Sequence, residues 1–367
     1  MRGLYIHIPF CVSKCFYCDF YSVKAKPELM DEYIDALLAE ADSYRNMDFA
    51  TLYIGGGTPS VLGAARLEKL ICGLRRRYDL EDLHEATIEV NPESAGIDLL
   101  AAAFNLGIGR ISIGAQSLNE GELNKSGRVH NRQQALEAVG AAFSVGFRNI
   151  SADIMIGLPG QTVQSLGDTL NVLIGAGVNH VSAYCLSVEE GTVFHRCPPH
   201  DLPGEDEQAG LFENAVDILQ QHGFVHYEIS NFTTPDGECL HNLNYWRGGE
   251  YLGLGPAAAS HIGGKRFRNA ASLERYLADP LSGREGEERL EDERKAGEEA
   301  MLRLRLIQEG LDMQEMAGKY GRNVVEGLEE KLKELVGRRS LSREGDVFRL
   351  QPACVLTSNS VFIDVIG

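Results

Sequence analysis

Short apolar runs recur along the first half of the chain, and each ends at Gly, Pro or a polar residue. Stretches with apolar residues on one helical stripe lie between them, the first from about 27 to 45 and others at 98–106, 132–145 and 162–176. The runs predict six strands: Leu4–Ile8, Thr51–Ile54, Ala86–Val90, Arg110–Gly114, Asn149–Ile154 and Val178–Tyr184. Strand and helix therefore alternate along this half of the chain.

This alternation determines the expected fold class. A strand, a helix and a further strand repeating at about 30 residues indicate parallel βαβ units. Six units predict an α/β fold, either a partial (β/α)6 barrel or an open parallel sheet. In both architectures, ligands bind beyond the carboxyl ends of the strands. The Gly-rich and polar segments of this chain follow those ends.

The second half of the chain has a different pattern. Residues 185–285 are less regular, and the densely charged segment 285–295 is typical of an exposed linker or a helix start. Amphipathic helices are predicted at Glu298–Gln308 and Val324–Leu335, followed by a strand at Val347–Leu350. We therefore divide the chain into a barrel domain with its extension, 1–285, and a small, mainly helical C-terminal domain, 286–367. A winged-helix-like arrangement is one option for the second domain.

Charge and composition exclude several classes of protein. The formal net charge is −18 over 367 residues, and the one compact basic cluster, Arg75-Arg76-Arg77, fits a solvated helix end. A DNA-binding role is therefore disfavoured. No leader opens the sequence and no apolar run reaches the ~18 residues that span a bilayer. We expect a cytoplasmic protein in a reducing compartment, with peripheral membrane contact left open.

Three of the eight cysteines, Cys11, Cys15 and Cys18, lie within eight positions directly after the first predicted strand. In a large chain without a leader, such a cluster indicates metal binding or catalysis rather than disulfides. Three thiolates can hold three irons of a [4Fe–4S] cluster and leave the fourth iron open. Zinc is the competing metal, but a structural zinc site needs a fourth ligand, for which His7 is the nearby candidate.

The cysteine spacing CxxxCxxC, with the aromatic Tyr17 before its last cysteine, resembles that of the radical S-adenosylmethionine (SAM) superfamily. The string from Tyr5 to Cys11 is similar to the HemN/HemW branch of that superfamily. The resemblance implies a radical SAM barrel in which the amino and carboxylate groups of SAM chelate the open iron. It also implies that SAM is cleaved reductively, to methionine and a 5′-deoxyadenosyl radical.

The same resemblance assigns roles to residues that follow successive strands. Gly56, Gly57 and Thr58, in Gly-Gly-Gly-Thr-Pro, would present their backbone to the SAM amino group. Glu89 would also face the amino side, Arg128 the methionine carboxylate, and Gln116 with Asp153 the ribose. Tyr17 would lie near the adenine, and Tyr5 belongs to the same cofactor-binding set. Taken singly, each of these residues is more often a loop or capping residue.

Two features separate the members of this branch. Phe20 stands where decarboxylases of the HemN type have a further cysteine, and His241-Asn242-Leu243-Asn244-Tyr245-Trp246 resembles the HNxxYW motif of HemW-type haem chaperones. Tyr251–Gly255 and Ser260-His261 agree with that group, whereas Pro256-Ala257 departs from it. By this resemblance His241 contacts haem. A polar anchoring role for His241 is the alternative, and Cys239 and His261 are weaker candidates for the haem contact.

The leading hypothesis is therefore a haem chaperone that carries a [4Fe–4S] cluster and SAM. Its partners would be haem, a haem-acceptor protein and a reducing electron donor, with no nucleic acid. The alternative is an anaerobic coproporphyrinogen III dehydrogenase or a related radical SAM enzyme on a tetrapyrrole, which Phe20 disfavours. A radical SAM enzyme acting on RNA is a third account, and the acidic charge argues against it.

Overall fold

The computed structural model describes residues 1–366. The strands are β1 Arg2–Ile8, β2 Phe10–Cys11, β3 Val23–Lys24, β4 Thr51–Gly56, β5 Glu85–Val90, β6 Arg110–Gln116, β7 Asn149–Ile156, β8 His180–Cys185, β9 Val225–Glu228, β10 Asn231–Thr233, β11 Glu250–Leu254, β12 Ala259–Ile262, β13 Lys265–Asn269, β14 Arg284–Glu288, β15 Leu311–Asp312, β16 Leu341–Glu344 and β17 Val347–Leu350. The helices are α1 Pro27–Asp42, α2 Gly63–Arg75, α3 Ile97–Asn105, α4 Glu120–Lys125, α5 Arg132–Val145, α6 Val163–Gly175, α7 Val193–Arg196, α8 Glu205–Gln221, α9 Leu240–Trp246, α10 Leu273–Ala278, α11 Asp292–Arg303, α12 Met313–Tyr320, α13 Arg322–Gly337 and α14 Ser358–Ile366.

Six parallel strands form the centre of the molecule, in the order β1-β4-β5-β6-β7-β8. All six were predicted from the sequence, and the α/β fold with a partial (β/α)6 barrel is confirmed. The sheet continues on both sides of this centre. Strand β11 pairs in parallel with β1 and is followed by the antiparallel strands β12, β13 and β14, while β10 and β9 extend the sheet beyond β8.

Side chains alternate between the two faces of each central strand. In β1, the side chains of Leu4, Ile6 and Ile8 are fully buried, as expected for the face that a covering helix packs against. Helix α1 supplies such a face, with Tyr33 and Leu37 fully buried. The other face of β1 carries Tyr5 and His7, because successive residues of a strand point to opposite sides. The inner face of the barrel is therefore polar.

The C-terminal part has its own small sheet. Strands β15, β17 and β16 form three antiparallel strands, and α11 to α14 pack around them. The order helix, strand, two helices and hairpin agrees with the winged-helix-like option. Two details differ from prediction: β14 crosses the proposed boundary at 285, and α11 begins at Asp292, six residues before the predicted helix. The division into two domains stays a prediction, and residue 367 lies outside the described part.

Candidate functional site at the carboxyl ends of the barrel strands

The three clustered cysteines lie in a loop that leaves the carboxyl end of β1. All three are free, partly exposed thiols. The loop is held by main-chain hydrogen bonds, in which Phe16 N donates to Ser126 O and Phe194 N donates to Phe16 O, both at 3.0 Å. The three thiols therefore lie at the carboxyl end of β1, on a loop that hydrogen bonds to neighbouring segments hold in place.

Two of the thiols accept hydrogen bonds from residues that the sequence analysis singled out. Thr58 Oγ1 donates to Cys11 Sγ at 3.4 Å, and Arg128 Nη1 donates to Cys15 Sγ at 3.4 Å. Burial raises the pKa of Cys18 to about 11, against a main-chain hydrogen bond at Phe20 that lowers it. The hydroxyl and the guanidinium suit sulfur atoms that carry negative charge, as the ligands of an iron–sulfur cluster do.

The donor set fits an iron–sulfur cluster in chemistry, and His7 does not complete a mononuclear site. Its Nδ1 lies 3.0 Å from Tyr5 Oη and its Nε2 lies 3.1 Å from Tyr21 O, so both ring nitrogens have protein partners. Burial lowers the pKa of His7, which keeps the ring neutral. Among residues 1–366, no three His, Cys, Asp or Glu side chains are already placed to hold a single metal ion.

The Gly-rich turn after β4 lies directly against the cysteine loop. Gly57 N donates to Ile8 O at 2.8 Å and Thr58 N donates to Phe10 O at 2.7 Å. Gly56 has φ +109°, which favours glycine, and a Cβ on Gly57 would lie 2.8 Å from Phe10 O. The glycines are therefore needed to bring this turn close to the start of the cysteine loop.

Asn91, which follows β5, contacts both the Gly-rich turn and Arg128, and it is not among the residues predicted from the sequence. Its Nδ2 donates to Thr58 Oγ1 at 3.1 Å, and its Oδ1 accepts from Arg128 Nη2 at 3.1 Å. Arg128 Nη2 also donates to Gly114 O at 2.6 Å. One amide thus links the Gly-rich turn, the end of β5 and the arginine that contacts Cys15.

Two carboxylates lie on the polar inner face of the barrel. Glu89 accepts from Tyr53 Oη at 2.8 Å and from Gly56 N at 3.1 Å, while Asp153 accepts from Ser112 Oγ at 3.0 Å. Burial, reinforced by the charge of Asp153, raises the pKa of Glu89 to about 7. Burial also raises the pKa of Asp153. Buried carboxylates with raised pKa values are typical of ligand sites.

Gln116, Tyr17 and Tyr5 complete the predicted set. Gln116 ends β6 after a register shift, and its φ of +63° is a strained conformation of the kind found at functional sites. Tyr17 packs against Phe194, with ring centroids 6.3 Å apart, and burial raises its pKa. Tyr5 lies deeper in the barrel beside Tyr53. The structure therefore brings the predicted residues other than His241 to one side of the barrel interior.

His241 lies at the opposite end of the barrel, and its haem contact stays a prediction. Its ring is 1% exposed and stacks on Tyr53. Nδ1 lies 2.8 Å from Thr51 Oγ1 and Nε2 lies 2.8 Å from Tyr245 Oη, so neither nitrogen is free for haem iron. Burial lowers the pKa of His241 to about 3. The geometry favours the alternative that was considered, a polar anchor, here at the amino ends of β1 and β4.

The other residues of the haem hypothesis are placed as follows. Cys239 is buried and its Sγ lies 3.5 Å from Glu85 Oε1, while His261 is partly exposed on β12. Phe20 lies beside the cysteine loop and is 65% exposed. Because this residue is a phenylalanine, the loop has no fourth thiol at that position. In the described part of the chain, no helix is both long and apolar enough to cross a membrane.

The chain is similar over nearly its whole length to curated haem chaperones. It is 35% identical to the haem chaperone HemW of Lactococcus lactis, over 98% of this chain and 96% of that protein. It is 33% identical to HemW of Bacillus subtilis over the full length of both, and 40% identical to HemW of Escherichia coli over 71% of this chain and 70% of that protein.

Two further comparisons concern the barrel and the fold. The profile of the radical SAM superfamily matches residues 5–173. Coproporphyrinogen III oxidase (HemN) from Escherichia coli, a radical SAM enzyme, superposes with a TM-score of 0.86 over 99% of this chain and 89% of that one. Its sequence identity is 22%, so this likeness establishes the fold alone.

Proposed function

The chain belongs to the HemW haem-chaperone family of the radical SAM superfamily, and from this premise we propose that it binds haem and delivers it to acceptor proteins in the cytoplasm. Its cofactors are those of the family, a [4Fe–4S] cluster and SAM. The observation that carries the proposal is the likeness to the Lactococcus protein over 98% of the chain, which includes the segments beyond the radical SAM barrel.

In this proposal Cys11, Cys15 and Cys18 bind three irons of the cluster. When bound, the cluster supplies the electron that cleaves SAM. Thr58 and Arg128 donate hydrogen bonds to Cys11 and Cys15, and a donor or cation beside a ligand sulfur stabilises added negative charge. These two residues would therefore make the cluster easier to reduce.

The SAM residues are assigned from their places around the cysteine loop. Arg128 Nε is buried with no hydrogen-bond partner among residues 1–366, so it has a donor to offer the methionine carboxylate. Glu89 lies beside the Gly56 amide and would accept from the SAM amino group. Asp153 and Gln116 would hold the ribose, and Tyr17 would lie near the adenine.

The exposed Phe20 supports a chaperone over a porphyrinogen decarboxylase. A phenyl ring can neither bind a metal nor transfer a proton, so a reaction that needs a cysteine two positions after Cys18 has no group here to perform it. The fold is shared with coproporphyrinogen III oxidase, but the fold does not determine which of these activities the chain has.

Haem delivery can be tested by transfer. The protein is reconstituted anaerobically, loaded with haemin, freed of excess by gel filtration and mixed with the apo form of a b-type haem protein. We expect the absorption spectrum of the acceptor to appear and the haem of the donor protein to decrease in equal amount. Haemin on albumin at the same concentration is the control. If the loaded protein keeps its haem while albumin releases its own, delivery is contradicted.

A further inference from the structure

A cavity lies at the amino ends of β5, β6 and β7, at the end of the barrel opposite the cysteine loop. Its volume is about 640 Å³. Glu85, Arg110 and Asn149, the first residues of those three strands, line it together with Leu240 at the start of α9. The roles proposed for the cluster and SAM use none of these residues.

Three neighbouring side chains in this region have unmet hydrogen-bonding capacity. Thr87, Arg110 and Asn149 are register partners across β5, β6 and β7, so their side chains share one face of the sheet. Thr87 Oγ1, Arg110 Nε and Asn149 Oδ1 are each buried without a hydrogen-bond partner among residues 1–366. Such groups are uncommon in folded proteins, and three in one row require an explanation.

Arg110 is the most demanding of the three because it carries a charge. The residue is 2% exposed, and Glu85 attracts it through space rather than by a hydrogen bond. Glu85 instead accepts from Leu240 N at 3.0 Å and His241 N at 3.1 Å, at the first turn of α9. A buried guanidinium without a hydrogen-bonded anion is costly, so a bound anion would relieve it.

We propose that this cavity binds the carboxylate group of a ligand, with Arg110 as its ionic partner and the side-chain amide nitrogen of Asn149 as a neighbouring hydrogen-bond donor. Acidic side chains also line the cavity, namely Glu81, Glu85, Asp236 and Glu238, so an anionic group is favoured only where it contacts Arg110. A haem propionate and a small free carboxylic acid share this chemistry. Binding of a haem propionate rests on the proposed function, whereas binding of a small carboxylic acid is independent of it.

The test uses the intact protein and three probes: haemin, haemin dimethyl ester, in which the propionates carry no charge, and succinate. Arg110→Gln removes the charge, and Arg110→Lys restores it. Arg338→Gln makes the same charge change at an exposed position that does not line the cavity. Asn149→Asp, which places a carboxylate against the ligand, is the second variant if Arg110→Gln does not fold. Affinity is measured by absorption for the two haems, and by the thermal midpoint for succinate at constant ionic strength.

If the bound group is a haem propionate, we expect Arg110→Gln and Asn149→Asp to lower the affinity for haemin at least about tenfold. A loss of this size is typical of one charge-assisted hydrogen bond. Dimethyl ester binding stays unchanged, and Arg110→Lys recovers part of the loss. For a free carboxylate, succinate raises the midpoint of the wild type and of Arg338→Gln but not of Arg110→Gln, whatever haem does. If the variants bind both haemin and succinate as the wild type does, only water occupies the space beside Arg110 and Asn149. That result would overturn the inference. A wild type that binds succinate through Arg110 but no haem overturns the proposed function alone.

Discussion

At the scale of single residues, what could be predicted depends on how local the signal is. The three clustered cysteines could be predicted as ligands because they lie within eight positions of one another and directly follow a predicted strand. The contacts of Asn91 with Thr58 and Arg128 could not, since they join residues 33 and 37 positions apart in the chain. The position of His241 could not be predicted for the same reason, because the motif does not say at which end of the barrel its helix lies.

Replacing Cys15 with Ala tests the ligand assignment. We expect the variant to keep the circular dichroism of the wild type, because the loop lies outside the core, and to lose the visible iron–sulfur absorption after anaerobic reconstitution. Cys72→Ala, at a partly exposed cysteine of α2, is the matched control and should retain the cluster. A Cys15→Ala protein with wild-type absorption would show that a different set of ligands holds the iron.

His241→Ala should act on stability. Removal of the buried ring takes two hydrogen bonds and a stacked contact from the amino end of the barrel, and we expect a loss of about 2–4 kcal/mol in unfolding free energy. Urea denaturation measures this. His222→Ala, at a histidine on the exposed end of α8, is the control. A stable His241→Ala protein with greatly reduced haem affinity would restore the original hypothesis.

At the scale of elements, the buried parallel strands were predictable and the extension was not. The six central strands match their predictions because each is a short segment with apolar residues at every second position, separated from the next strand by a helical stretch. Residues 185–285 were read as irregular, yet they contain α8, α9 and strands β9 to β13. The strands β9 to β13 have only three to five residues, so their periodicity is too short to read. The acidic first turn of α8, with Glu205, Asp206 and Glu207, was a readable helix start.

Glu40 of α1 joins the barrel to this extension and gives a pH prediction. Its buried carboxylate accepts from Gly255 N at 2.9 Å, Asn269 Nδ2 at 2.7 Å and Tyr276 Oη at 2.5 Å. Burial raises its pKa to about 7, although these hydrogen bonds oppose the shift. The folded pKa exceeds the unfolded value of about 4.5, so the folded state holds the proton more tightly. This contribution to stability is complete below pH ~4.5 and is lost as the pH rises to about 7.

The corresponding measurement is the unfolding free energy at several pH values between 4.5 and 8. We expect Glu40→Gln to remove part of the decline that the wild type shows in this range, and Glu32→Gln, at an exposed position of the same helix, to leave the decline unchanged. Equal slopes for the wild type and Glu40→Gln would mean that Glu40 is charged in the folded protein throughout this range.

At the scale of the whole molecule, the barrel has two chemically different ends. The carboxyl end carries the cysteine loop, the Gly-rich turn and the residues assigned to SAM. The amino end carries α9 with His241 and the cavity at Arg110. Between the two ends lies a polar interior, which arises because nearly every second residue of the central strands is polar or glycine.

The most direct test of the haem-chaperone account is one preparation assayed in two ways. The protein is reconstituted anaerobically with iron and sulfide, titrated with haemin, and then given SAM, a reductant and coproporphyrinogen III. We predict stoichiometric haem binding and no conversion of the porphyrinogen. Formation of protoporphyrinogen IX would contradict the account and would show that the chain is a decarboxylase that works without a cysteine at position 20.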